Sequence, residues 1–396
     1  MVFYKKALIM SAFTLLSVSV QSVYSQKESL NQLADRVFHV ALSQYSAMDS
    51  RLNEHTMPQS INPDNSFMSS SIHWWCSGFY PGSLWYIYQY TQDKKIMELA
   101  IKNTLKLDSI KYTTDNHDVG FMINCSYGNA YRLTGKKEYA DVIVQASKSL
   151  STRFSPVAGV IKSWDKKNMV WKCPVIIDNM MNLELLENAT HISGDKEFDK
   201  IARRHADTTL KNHFRKDYSS YHLVDYDPSN GHIIGKQTVQ GFSNESMWSR
   251  GQAWALYGYT VMYEQTKDIR YLHQAESISR LLLKRLPEDG IPLWDFDAPK
   301  NMSYKDVSAG AIMASAFVKL SKMTGDKELS NACLKMAEKQ VREEASSKYM
   351  APVGENFNFI LMHSVGNLPK GTEIDKPLTY ADYYFLEAIL RLINRI

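Results

Sequence analysis

Two aspartates draw attention through their neighbours. Asp118 is followed by Val-Gly-Phe-Met and Asp178 is preceded by Val-Ile-Ile, so neither sits in the polar run expected of a solvated surface. Paired carboxylates with apolar neighbours suit glycoside chemistry, in which one acid holds a proton near neutrality while the other stays ionised. Arg250 and three histidines (His73, His117 and His222) suggest in addition a ligand that carries a carboxylate. Each residue also has a plainer reading. An Asp at a helix start commonly serves as an N-cap, His117 suits a buried core histidine, Arg250 suits an internal ion pair, and Trp75, Trp164 and Trp254 suit packing as well as sugar platforms.

The elements that would gather these residues follow from an internal repeat. One phrase recurs between apolar-periodic segments: Thr91-Gln-Asp-Lys-Lys, Thr134-Gly-Lys-Lys-Glu-Tyr, Ser193-Gly-Asp-Lys-Glu-Phe, Thr266-Lys-Asp-Ile-Arg-Tyr and Thr324-Gly-Asp-Lys-Glu-Leu. These read as helix-to-helix turns, several with a Gly that ends one helix and a polar residue that opens the next. The segment before each turn is rich in small and aromatic residues, as in Gly251-Gln-Ala-Trp-Ala-Leu-Tyr-Gly-Tyr, and reads as buried all round; the segment after it is amphipathic, as in Glu197 to Leu210. With flanking helices from Leu30 to Met48 and from Tyr380 to Asn394, twelve helices are expected. Alternation of buried and half-exposed helices, without a sustained strand pattern, predicts an all-α chain built as one (α/α)6 barrel, an open solenoid being the alternative. The uneven spacing of the turns implies long inserted loops, which favours the closed ring and marks where function gathers. In such a ring the inner helices run parallel, so His73 to Phe79, Asn116 to Asp118, Asp178-Asn179, Trp248 to Trp254 and Asp306 to Ser308 share one funnel, to which loops add Trp164, His222 and Gln240. Helix N-termini at that mouth favour an anion.

Composition narrows the partners. Of 396 residues, 44% are hydrophobic and 22% charged, which excludes disorder and a collagen-like or disulfide scaffold. The 23 Tyr and 8 Trp exceed what a core needs and suit a cleft for flat sugar faces. Setting Lys5 and Lys6 aside leaves 44 basic residues against 42 acidic ones, a balance that argues against a nucleic-acid partner. Residues 1–25 read as a secretory signal, basic at the start and apolar from Ala7 to Val20, leaving 26–396 as the catalytic domain. The expectation is export across the inner membrane, to the periplasm, with no stable membrane insertion. The four scattered cysteines carry no zinc spacing and read as buried free thiols.

At the funnel residues the sequence resembles the unsaturated glucuronyl hydrolases of glycoside hydrolase family 88. The likeness runs in order through Trp75 with Gly78-Phe79, His117-Asp118-Val-Gly-Phe, Ile177-Asp178-Asn179-Met-Met-Asn, His222, Gln240-Gly241, Ser249-Arg250-Gly251-Gln-Ala-Trp254 and Tyr380-Ala-Asp-Tyr-Tyr-Phe-Leu-Glu-Ala. The resemblance implies an (α/α)6 barrel, no metal and no organic cofactor. It implies that the partner is an unsaturated oligosaccharide, from whose non-reducing end the 4,5-unsaturated uronic acid left by polysaccharide lyases is released through hydration of its vinyl ether. In that scheme Asp178 is the general acid/base and Asp118 binds ring hydroxyls and stabilises developing positive charge beside His117. His222, Gln240, Arg250 and Trp254 then match substrate-binding positions, and Trp75, Phe79 and Trp164 match the aromatic cleft. Members that accept sulfated glycosaminoglycan fragments use small polar and basic residues near the C-terminus. Here that stretch runs from His363 to Lys370, and Ser364 and Lys370 are expected to touch the second sugar. The rival readings are an unsaturated rhamnogalacturonyl hydrolase acting on pectin fragments and a non-catalytic periplasmic sugar-binding protein.

Overall fold

A computed structural model describes residues 28–165 and 169–396, so the leader expected over 1–25 lies outside the described residues. The helices are α1 (Leu30–Met48), α2 (Phe79–Thr91), α3 (Lys94–Leu105), α4 (Val119–Ile123), α5 (Asn129–Thr134), α6 (Lys137–Ser151), α7 (Leu183–Ser193), α8 (Lys196–Asn212), α9 (Ser249–Thr266), α10 (Ile269–Arg285), α11 (Val307–Ser321), α12 (Lys327–Glu344) and α13 (Thr379–Leu392). A π-helical turn, Asn124–Gly128, joins α4 to α5, so the two form one interrupted segment. The recurring phrase is the turn that the sequence suggests. Left-handed residues Gln92, Gly135, Gly194 and Lys267 end α2, α5, α7 and α9, and Asp93, Asp195, Asp268 and Asp326 cap α3, α8, α10 and α12 through their carboxylates.

Burial separates two kinds of helix. Helix α9 buries every residue from Ser249 to Met262, whereas α8 buries one stripe, Phe198, Ala202, His205, Ala206 and Thr209, at helical spacing. The buried segments are neighbours in turn. Helix α2 packs on α13, α13 on α11, α11 on α9, α9 on α7, α7 on α4 and the π turn, and the π turn on α2. Helices α3, α6, α8, α10 and α12 cover them from outside, and α1 lies against α2. Glu387 of α13 ties the middle together: it accepts from the Tyr86 hydroxyl (2.8 Å), from Tyr257 (3.0 Å) and from Ser315, and pairs with Arg391 at 3.1 Å.

Strands appear where none was expected. They are β1 (Thr56–Ile61), β2 (Phe67–Ser71), β3 (Phe154–Ser155), β4 (Val160–Ile161), β5 (Cys173–Ile176), β6 (Leu223–Tyr226), β7 (Ile233–Gln237), β8 (Ser364–Asn367) and β9 (Thr372–Lys376). Pairing is antiparallel throughout: β1 with β2, β3 with β4, β5 with β6 and β6 with β7, and β8 with β9. All of them lie in the loops that lead from an outer helix to the next inner one. Each is short and stabilised by its pairing, so alternation has too little length to register in sequence. All four cysteines are buried and free, and no described helix is long and apolar enough to cross a membrane.

Candidate active site

The strand-bearing loops bring the two aspartates to the same end of the inner segments. Asp178 follows β5, at the second position of the 3₁₀ turn Ile177–Asn182. The β5–β6 register sets Ile176 opposite Leu223, and the Ile177 N–H donates to the His222 carbonyl at 2.9 Å, so His222 arrives beside Asp178. Its Nε2 lies 3.8 Å from Asp178 Oδ2. The other ring nitrogen, Nδ1, accepts from the backbone N–H groups of Val239 (2.9 Å) and Gln240 (3.3 Å). In the neutral ring the hydrogen therefore sits on Nε2 and points toward the carboxylate. Burial pushes the His222 pKa down to about 3, so the ring is neutral at physiological pH.

Asp178 is 8% exposed, and its Oδ2, like His222 Nε2, has no hydrogen-bond partner. Burial lifts its pKa to about 7, against the pull of the Arg250 charge and of the Trp254 indole N–H. That indole is fully buried, and its N–H meets no acceptor at full hydrogen-bonding geometry. Asp118 stands just before α4 with its Oδ1 3.3 Å from Nε2 of the fully buried His117, whose pKa burial pushes down to about 3. Neither Asp118 nor Asp178 caps a helix through its side chain, so the capping reading is set aside. Gly120 lets these neighbourhoods approach. A Cβ there would lie 2.3 Å from Asn182 Oδ1, the atom that accepts the Phe121 N–H at 2.9 Å.

Aromatic rings line and underlie the site. Trp75 is half-buried and packs against Phe121 (5.5 Å between centroids) and Tyr380 (4.9 Å). Phe79, expected in the cleft wall, is instead fully buried and meets Trp75 edge-on at 5.8 Å, a support for the platform. Trp164 is half-buried, edge-on to His117 at 6.4 Å and beside Trp171 at 6.1 Å.

Arg250 follows its internal ion-pair reading. It is 2% exposed, and it donates to Asp306 (3.0 Å), to the carbonyls of Val365 (2.5 Å) and Gly366 (2.6 Å), and to Gln240 Oε1 (3.2 Å). With both amino groups engaged, its influence on the site runs through its charge on Asp178 and through the orientation of Gln240, which remains partly exposed. Ser364 requires a correction. It is fully buried, and its hydroxyl accepts the Ser308 N–H at the start of α11, which places it behind the site. Lys370 is exposed at the turn between β8 and β9. The sequence reading missed Glu373, whose carboxylate accepts from Gln59 at 2.7 Å and covers Gly366, and Trp171, which bonds Gln237 at 3.0 Å. Both lie in the loops, where no periodicity marks a residue. Among the described residues, no three His, Cys, Asp or Glu side chains gather to hold a metal ion.

A mostly helical chain with a proton-holding carboxyl, a second acid and half-buried indoles has the groups that a glycosidase uses. Comparison with known proteins agrees and is more specific. Residues 46–356 match Glycosyl Hydrolase Family 88, and the chain belongs to that family. It is 44% identical over 326 residues to an unsaturated glucuronyl hydrolase of Formosa agariphila, covering 81% of this chain and 80% of that one. It is 30% identical over 389 residues to an unsaturated chondroitin disaccharide hydrolase of Streptococcus agalactiae, covering 94% and 96%. Among solved structures, an unsaturated glucuronyl hydrolase specific for heparin superposes with a TM-score of 0.89 at 44% identity over 92% of this chain and 99% of that one. The glycosaminoglycan-degrading unsaturated glucuronyl hydrolase of Bacillus sp. GL1 gives 0.85 at 28% identity, over 91% and 96%.

Proposed function

We propose that this protein releases 4,5-unsaturated uronic acid from the non-reducing end of glycosaminoglycan oligosaccharides made by lyases, with residues 26–396 as one catalytic (α/α)6 barrel. The observation that carries the mechanism is the Asp178 carboxyl: buried, with a pKa of about 7, and with an oxygen left free toward His222 Nε2. A general acid with that pKa is half protonated near neutrality. In this reading Asp178 delivers its proton to carbon 4 of the double bond, and the carboxylate so formed takes a proton from the water that adds to carbon 5. The resulting hemiketal collapses, the ring opens, and the leaving sugar departs with its hydroxyl. Asp118 stabilises the positive charge that builds on the ring before water adds. Trp75 and Trp164 hold the sugar faces, while Gln240 and the Nε2–H of His222 meet its oxygens.

The unsaturated glucuronyl hydrolase of Formosa agariphila and the solved heparin-specific one, each 44% identical in sequence, support the uronate reading over the pectin one. Export to the periplasm, directed by residues 1–25, belongs to the same proposal. The test is the loss of enoate absorbance on incubation with unsaturated disaccharides of chondroitin, hyaluronan, heparin and pectin. Turnover of the uronate substrates is expected; turnover of the pectin fragment alone would transfer the assignment to the rhamnogalacturonyl reading. In heavy-oxygen water the label should appear on carbon 5, and saturated disaccharides should remain intact.

A further inference from the structure

Running from the middle of the inner segments to the end where they pass into the short turns lies a cavity of about 530 Å³. Every inner segment contributes to its wall: Tyr86 from α2, Asn129 from α5, Glu184 from α7, Glu264 from α9, Lys319 from α11 and Arg391 from α13. Its size falls in the range of small-molecule sites. Two of its ion pairs cancel locally, Lys319 with Glu264 and Arg391 with Glu387.

Other groups in the same wall have capacity to spare. Glu184, half-buried in this wall, makes no hydrogen bond or salt bridge to any described residue, and desolvation lifts its carboxyl pKa against the pull of the Lys319 and Arg391 charges. One helical turn further on, the Asn188 amide donates to Asn124 Oδ1 at 2.7 Å, and its own carbonyl accepts nothing among the described residues. Asn124 opens the π-helical turn, a wide turn that often marks a functional position. Donors are spare as well. Arg132 uses Nε and Nη2 on Asn129 and Gln89 but leaves Nη1 unused, and Lys322 donates only to the Arg391 carbonyl at 3.2 Å. A hydroxyl serves both kinds of group, since it donates to a carboxylate or amide oxygen and accepts from an ammonium or guanidinium. A ring bearing several hydroxyls would also find aromatic surface at Tyr86, Tyr131 and Tyr383.

We infer that this cavity is a second saccharide site, separate from the catalytic mouth, which takes a neutral sugar ring through Glu184 and Asn188. The inference is independent of the catalytic reading, because no residue of the aspartate site takes part. D-glucose is the neutral probe and D-glucuronate its anionic counterpart, applied to the full chain in solution and in crystals. Glucose density is expected against Glu184 and Asn188, and Glu184→Leu is expected to weaken glucose binding about tenfold, as loss of a hydrogen bond to a charged group does. Asn188→Leu should weaken it in the same direction and carries the test if the first variant fails to fold. Three results would overturn the proposal: glucose affinity unchanged in a folded variant, glucose density confined to the aspartate mouth, or glucuronate bound in this cavity more tightly than glucose.

Discussion

Two buried carboxylates, Asp178 and Glu387, are treated in opposite ways. Glu387 accepts from three hydroxyls and faces Arg391, so nearly all of its acceptor capacity is met by protein. Asp178 has an oxygen that meets nothing and a pKa lifted to about 7. A satisfied buried charge holds a structure in one arrangement, whereas an unsatisfied one is a standing cost that persists when function needs the group. The difference tracks connectivity: Glu387 lies on a helix in the middle of the inner segments, while Asp178 sits where a strand-bearing loop enters one.

That contrast predicts that removing the two carboxylates has separable consequences. Asp178→Asn is expected to lower turnover by at least about 100-fold, the scale of a deleted general acid/base. The same variant should be no less stable than the parent. Because the folded state holds the Asp178 proton to about pH 7 and the unfolded chain releases it near 4, the parent loses stability as pH rises between those values. Asn has no proton to lose there. The stability gap should therefore open from about pH 4 and level off above about pH 7, at a few kcal/mol. Urea unfolding at pH 4.5 and pH 8 measures it, and a variant that is less stable at pH 8 would remove the comparison's basis.

Glu387→Ala is the converse. Leaving Arg391 and three hydroxyls without their acceptor should cost about 3–5 kcal/mol in urea unfolding. If the folded variant lost as much turnover as Asp178→Asn, the two regions would not be functionally distinct. Arg250→Met combines both effects on a smaller scale. It strands Asp306, which lowers the melting temperature by several degrees, and it withdraws the positive charge that restrains the Asp178 pKa, so the alkaline limb of the pH–rate profile should move upward. A profile that stays in place would deny Arg250 its electrostatic role. The smallest effect is expected at Ser364→Ala, about 0.5–1.5 kcal/mol of stability for one hydrogen bond, with KM for the unsaturated disaccharide unaltered. A KM raised tenfold with a normal melt would return Ser364 to the sugar.

Sequence carried the helices well because they obey local rules. The recurring phrase that opens on Thr or Ser forms the turns, and α1 spans the residues that periodicity indicates, since an amphipathic stripe and a cap are both short-range features. Asp118 and Asp178 stand out by their apolar neighbours and His222 by the resemblance, and the β5–β6 register sets His222 beside Asp178. The orientation of each side chain was not legible. Phe79 and Trp75 are four residues apart, yet one is a support and the other a half-open platform, and only the packing of α2 against α13 decides which. Ser364 and Arg250 turned inward for a related reason: their partners, Ser308, Asp306, Val365 and Gly366, lie far off in sequence, and pairings at that distance leave no local pattern.

The neighbour order of the inner segments also joins parts of the chain that lie far apart in sequence. Helix α13 packs on α11 to one side and on α2 to the other, and it supplies Glu387 and Arg391 to the middle. Without it, α2 and α11 would each lose the cover of an apolar face, and Tyr86, Tyr257 and Ser315 would lack their shared acceptor. The core therefore depends on pairing segments far apart in sequence, and such long-range contacts slow folding, because the loop between them must close before the pairing stabilises it.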